Sequence, residues 1–247
     1  PMGIAYNAEQ QKLALACKSE VVVFKNSAEL AAHYPKNPNT YDALFLPRVS
    51  YKTSQLDLHD LAFGKDHLYA VNTLFSCITT IDDNYNFTPY WKPNFVSELV
   101  SEDRCHLNGM AMENGKPKYA SAFNQGNTMQ SWRGKITEDG ILIDVESNEI
   151  ITTGLAMPHT PKIINGNLYV LLSATGELVK VDRESGKKET VVKLGSFVRG
   201  MDVHGEYLFI GLSKLRKNSK TFSKLVGTFK QNEAGIAVVH LPTGSLM

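Results

Sequence analysis

Residues of catalytic type stand at the starts of recurring apolar segments: His59 and Asp60, His106 and Asn108, His159 and Thr160, and Arg199. A neutral imidazole can take a proton near neutral pH, and an adjacent carboxylate can orient it. Arginine presents a planar fork of donors that matches a carboxylate or phosphate. His59, His106 or His159 would thus serve as general base, Asp60 as its orienter, and Arg104, Arg133 and Arg199 as an anion clamp. Such a set suits a hydrolase or lyase acting on a small anion. Three imidazoles beside a carboxylate could also bind a divalent metal, Zn²⁺, Mn²⁺ or Fe²⁺. No histidine pair at i, i+2 or i, i+4 supports a metal directly, so the cofactor stays open. Each residue also has a structural use. His59 can bond a backbone carbonyl, Asp60 can bridge two sheets, and Asn108 and Thr160 can satisfy turn backbone. Arg104 and Arg199 can pair with Asp103 or Asp202, and Trp132 can anchor its own loop instead of stacking on a ligand. GxSxG, HExxH, Walker and GxGxxG signatures are absent from the sequence.

These residues are positioned by a repeat. Five segments share one grammar: an apolar strand, a turn, a second strand rich in β-branched and aromatic residues, then a third ending in a polar turn. Representative second strands are Lys12 to Ala16, His67 to Val71, Lys118 to Ala122, Asn167 to Leu171 and Glu206 to Ile210. A more polar fourth strand fits over 42–46, 87–91, 149–153 and 189–194. Strands at this spacing, with almost no helical period, predict an all-β fold, a β-propeller of four-stranded blades. A sandwich does not repeat a whole sheet. The blades fall near 1–56, 57–105, 106–157, 158–197 and 198–247. Five are legible and both ends break off abruptly, which predicts a six-bladed type with its sixth blade missing or incomplete. Asn26-Ser27-Ala28-Glu29 reads as a capping box opening one short helix over 26–33. Aligned repeats place Met2, His59, Asn108, Thr160 and Arg199 at equivalent positions at the mouth of a central channel, with His106 and His159 close by.

Two loops between second and third strands are long, 124–139 and 213–234. The first carries Trp132 and Arg133. The second carries Lys214, Arg216, Lys217, Lys220, Lys224 and Lys230 before its first acid, Glu233. With Arg48, Arg104 and Arg199 they predict a basic face on a chain whose net charge is only +1. That neutrality argues against a nucleic-acid or anionic-membrane coat. The partner expected is a small anionic molecule or a peptide. Three cysteines, none in a CxxC, argue against a disulfide framework. Apolar runs are strand-sized and no signal peptide is visible, so the expected location is the cytoplasm.

Pro47-Arg48-Val49-Ser50-Tyr51, His59-Asp60-Leu61-Ala62-Phe63-Gly64, Asp103-Arg104-Cys105-His106-Leu107-Asn108-Gly109-Met110-Ala111 and Met157-Pro158-His159-Thr160-Pro161 together resemble a bacterial family of conserved hypothetical proteins with a domain of unknown function. So do Trp91-Lys92-Pro93, Trp132-Arg133 and Arg199-Gly200. The resemblance spans the chain. It implies a propeller whose members extend past both ends, and it brings no activity or cofactor. Likeness to gluconolactonase-type propellers is architectural, since their Glu-Gly-Pro metal ligand has no counterpart where the first repeat has Met2-Gly3. Two functions follow: a channel enzyme with the residues above, or a non-catalytic propeller holding a peptide, glycan or protein on the same face.

Overall fold

The computed structural model describes residues 2–215, 221–225, 227–229 and 233–247. Its strands form five antiparallel four-stranded sheets, and within each sheet the spatial order is the chain order. Blade one holds β1 (Ile4–Asn7), β2 (Lys12–Ala16), β3 (Glu20–Asn26) and β4 (Phe45–Lys52). Blade two holds β5 (Leu58–Phe63), β6 (Leu68–Asn72), β7 (Cys77–Ile81) and β8 (Thr88–Trp91). Blade three holds β9 (Leu107–Glu113), β10 (Lys116–Ala122), β11 (Gly140–Asp144) and β12 (Ile150–Leu155). Blade four holds β13 (Pro158–Ile164), β14 (Asn167–Leu172), β15 (Glu177–Val181) and β16 (Lys188–Lys193). Blade five holds β17 (Phe197–His204), β18 (Tyr207–Ser213), β19 (Gly235–His240) and β20 (Ser245–Leu246). This is a five-bladed β-propeller. Among the described residues, no helix is long and apolar enough to cross a membrane.

The second and third strands of the middle blades are sandwiched on both faces and read accordingly: β6 and β7 are buried at every residue. Outer strands face water and turn polar, as in β16 with its Lys-Glu-Thr start. Four apolar clusters make the core, and each is the interface of two consecutive blades, one on two, two on three, three on four and four on five. Glycine matters where inner strands approach: a Cβ on Gly109 would lie 2.8 Å from Pro161 Cδ and 2.9 Å from the Thr160 nitrogen of the next blade.

Blades five and one do not make a fifth cluster among the described residues. The tyrosine that each middle blade turns toward its successor is buried, at 2, 3 and 7% exposure for Tyr69, Tyr119 and Tyr169. Register places Phe209 at that same point of β18, paired with Asp202 as Tyr169 is with Lys162, and Phe209 is 40% exposed. Ile4 and Tyr6 on β1 and Ile236 on β19 are also exposed. The seam between the last and first blades is therefore apolar and open.

Three expectations change. The capping box does not form: Asn26 ends β3, its Oδ1 accepts from the Leu44 amide, and Ser27 caps α1 (Ala28–Ala31) without a side-chain bond. The fourth strand of blade one runs over Phe45–Lys52, later than expected, because β3 is long and pairs all the way from Glu20↔Lys52 to Asn26↔Phe45. Blade five has a fourth strand, the two-residue β20 paired with β19.

Candidate functional site in the central channel

In four blades the ladder between the innermost strand and its neighbour slips by one residue where the strand meets the channel. The slip lies between Leu58 and Asp60, between Leu107 and Gly109, between His159 and Lys162, and between Val198 and Met201. A bulge leaves a residue outside the ladder and re-aims its side chain. His59 and Asn108 are the residues left over in blades two and three. Arg199 lies within the slip of blade five, and His159 is the last paired residue before that of blade four. The ladders make His59, Asn108, His159 and Arg199 equivalent. Thr160, expected in that set, is one residue farther along, because the slip in blade four comes after the histidine.

His59 and His159 are held by the same device. Thr73 Oγ1 donates to the Leu107 carbonyl of the next blade at 2.6 Å and lies 2.7 Å from His59 Nδ1, which also faces the Asp57 carbonyl at 2.9 Å. Ser173 Oγ donates to the Val198 carbonyl at 2.5 Å and lies 2.7 Å from His159 Nδ1, which faces the Met157 carbonyl at 3.1 Å. The hydroxyl proton is committed and a carbonyl only accepts, so Nδ1 must carry the proton in both rings. Each Nε2 keeps its lone pair.

His106 enters from a different position. It has φ 51°, as Asp57 and Met157 have 54° and 53° just before β5 and β13. This left-handed conformation is uncommon for a non-glycine residue. Its Nδ1 lies 3.0 and 3.1 Å from the two oxygens of Asp103, and Trp132 Nε1 donates to Asp103 Oδ2 at 2.9 Å. Trp132 packs on the His106 ring at 4.2 Å between centroids, and His59 meets His106 edge-on at 4.9 Å. Phe123 touches both His106 and His159, at 4.5 and 5.3 Å. The three histidines, spread over a hundred positions of sequence, thus form one ring-to-ring belt.

The belt is neutral. Burial pulls the His59 imidazole down to about 4 and His106 to about 3, and His159 falls well below its usual value. The Arg199 guanidinium adds to the depression of all three. Burial raises two carboxyls instead, Asp60 to about 6 and Asp103 to about 7. When ionised, Asp103 only accepts, which puts the His106 proton on Nδ1.

His59, His159, Arg199 and Met2 separate two chambers. The larger, about 750 Å³, is lined by Asp60, Asn108, Thr160 and the exposed Ile4, Phe209 and Ile236 of the open seam. The smaller, about 310 Å³, is lined by Asp103, His106, Trp132, Arg133 and several aromatics. Asn108 Oδ1 accepts from Ser121 Oγ at 2.7 Å, while its buried Nδ2 has no hydrogen-bond partner.

The remaining expected residues divide. Asp60 does not orient His59; its Oδ2 accepts from the Met110 amide of blade three at 3.0 Å and its Oδ1 from Leu61. Arg133 reaches the small chamber, stacks over Trp132 at 4.4 Å and donates to Thr221 Oγ1 and Gln130 Oε1. Trp132 is buried as a core member of its loop and also lines the chamber. Arg104 is held outside both chambers by Glu102, Ser97 and Asn127. Arg48 sits exposed on β4, away from the channel. In the second long loop Lys214 is exposed, whereas Arg216, Lys217, Lys220, Lys230 and the Lys224 side chain lie outside the described residues. The sequence reading missed Asp103, Thr73 and Ser173. Their signals were present: a carboxylate three residues before His106, and a hydroxyl 14 residues after each of the other histidines. Among the described residues, no three His, Cys, Asp or Glu side chains are disposed to hold a metal ion.

The family model described as Domain of unknown function (DUF4915) matches residues 1–247. The chain belongs to the DUF4915 family. No curated protein matches this DUF4915 chain at significant similarity. Solved structures share its fold. A gluconolactonase from Xanthomonas campestris superposes with TM-score 0.61 at 11% identity, over 99% of this chain and 73% of that one. A chain of a nidogen/laminin complex gives 0.59 at 8% identity, over 100% and 78%. A streptogramin B lyase gives 0.50 at 11% identity, over 98% and 69%. The DUF4915 fold is thus shared with enzymes and with a protein of a binding complex.

Proposed function

We propose that the central channel of this DUF4915 protein binds a small carboxylate-bearing molecule at the histidine belt, and that His106 acts on it as general base in a hydrolytic or elimination reaction. The observation that carries the reading is the belt itself: His59 against His106, His159 joined to them through Phe123, all neutral, with Arg199 between two chambers. Arg133 and Arg199 line the small chamber together with Asp57 and Asp103, and Arg199, which borders both chambers, is the guanidinium placed to meet a carboxylate. Asn108 lines the larger chamber, where its orphan Nδ2 supports an acceptor group of a ligand that reaches past Arg199, since buried donors are rarely left unpaired. His106 would take a proton on Nε2 from water or from carbon, and ionised Asp103 would stabilise the imidazolium as it forms.

A second reading has its own support. An imidazole pulled to about 3 is a weak base, which suits a channel that holds its ligand unchanged. The two separate on incubating the protein with carboxylate-bearing esters and lactones in ¹⁸O-water and following product mass. Hydrolysis shows as ¹⁸O uptake and elimination as an unlabelled product lighter by the leaving group, and either one disappearing in His106→Gln supports catalysis. Carboxylates that bind and are recovered unaltered across the panel support the second reading.

A further inference from the structure

Nearly half of the small chamber's wall is made of rings. Trp132, Phe123, Phe197 and Phe222 stand among the three histidines, and the other apolar members are Met2, Leu74 and Met157. The rings form a chain around the cavity. Trp132 meets His106, His106 meets Phe123, Phe123 meets His159, His159 meets Phe197 at 6.4 Å, and Phe197 meets Phe222 at 5.4 Å. Three of these five pairs cross at 65–71° and the two at His106 are tilted at 35 and 42°, so the wall presents both edges and faces. Such a wall favours a flat ring over a saturated one, because aromatic quadrupoles attract in edge-to-face and offset arrangements. A volume of about 310 Å³ is the space of about ten waters, at the small end of ligand pockets. It suits one ring with a short substituent. Arg199 borders both chambers, which places a cation where the substituent would leave the ring compartment.

We infer that the ligand is a single-ring aromatic carboxylate, its ring seated among Trp132, Phe123, Phe197 and Phe222 and its carboxylate against Arg199. This deepens the carboxylate-binding reading above and rests on it. A neutral amide would lose the charge-assisted bonds to Arg199, and a cyclohexane ring would fill the chamber without matching its edges and faces.

The test uses the full chain carrying Trp91→Phe, which leaves Trp132 as the sole tryptophan. Benzoate, cyclohexanecarboxylate, hexanoate and benzamide are titrated by calorimetry and by Trp132 fluorescence. Benzoate is expected to bind, to change the Trp132 signal, and to bind at least fivefold more tightly than the other three. Arg199→Met, checked for an unchanged melting transition, is expected to weaken benzoate more than tenfold. If the two saturated carboxylates bind as well as benzoate and all depend on Arg199, the aromatic class is overturned while the carboxylate reading stands. If no carboxylate binds, both fall. Benzoate binding that is indifferent to Arg199→Met in a folded variant overturns the placement.

Discussion

Asp103 and Asp60 are two buried carboxyls pushed the same way, and they oppose the three histidines in the pH dependence of stability. In the unfolded chain the histidines protonate near 6.5; in the folded channel His59 stays neutral until about 4 and His106 until about 3, and burial holds His159 well below its usual value. Between those values the unfolded state binds three more protons there, so stability falls as pH drops. Asp60 and Asp103 hold protons in the folded state up to about 6 and about 7 but lose them near 3.8 unfolded, so stability rises as pH drops. At pH 5 the balance is one net proton. From these five groups alone, denaturant unfolding should therefore weaken as pH falls from 5.5 to 4.5, by about 1.4 kcal/mol per pH unit. The double variant Asp60→Asn, Asp103→Asn should fall more steeply than the wild type, by about 2.7 kcal/mol per unit more. Equal slopes would refute the assignment of those protons. Turnover should also rise with pH: if His106 is the base, the rate should climb as Asp103 ionises through about pH 7, and Asp103→Asn should flatten that profile.

Among the elements, the hydroxyl bridge and the bulge decide which way the histidines point. Ser173 links His159 in blade four to Val198 in blade five, and Thr73 links His59 to Leu107. Ser173→Ala should cost about 1–3 kcal/mol in urea unfolding, because it takes the hydroxyl donor from the buried Val198 carbonyl and leaves the His159 N–H only the Met157 carbonyl. Loss of less than half a kilocalorie would mean the bridge is not a fastening. Gly109→Ala should destabilise as well, its methyl meeting the inner strand of blade four. The strands themselves were legible because period-two patterning and turn chemistry recur five times. The position of the bulge was not. Alternation assumes an unbroken ladder, so a one-residue slip at His159 was invisible and moved Thr160 into the wrong alignment. Asp103 was overlooked because its partner, Trp132, arrives from a loop 29 residues downstream.

For the whole molecule, composition does not tell one arginine from another. Arg48 and Arg199 look alike in sequence, yet one lies on an outer strand and the other between the chambers. Arg48→Met should leave carboxylate binding within twofold of wild type in the same calorimetric titration that Arg199→Met collapses. The open seam predicts a second contrast. Tyr169→Ala, within the blade four and five interface, should cost about 3–5 kcal/mol. Phe209→Ala, at the equivalent but exposed point, should cost less than about 1 kcal/mol by the same thermal or urea measurement.

Among the described residues, four apolar interfaces join five blades, each folded from consecutive strands, so the ring has the logic of a repeat array. In such an array stability is shared between neighbours, and a unit with one neighbour opens more readily than a unit with two. Amide protons of β10 and β11 in blade three should therefore exchange most slowly. Those of blades one and five should exchange sooner, fraying inward from the seam.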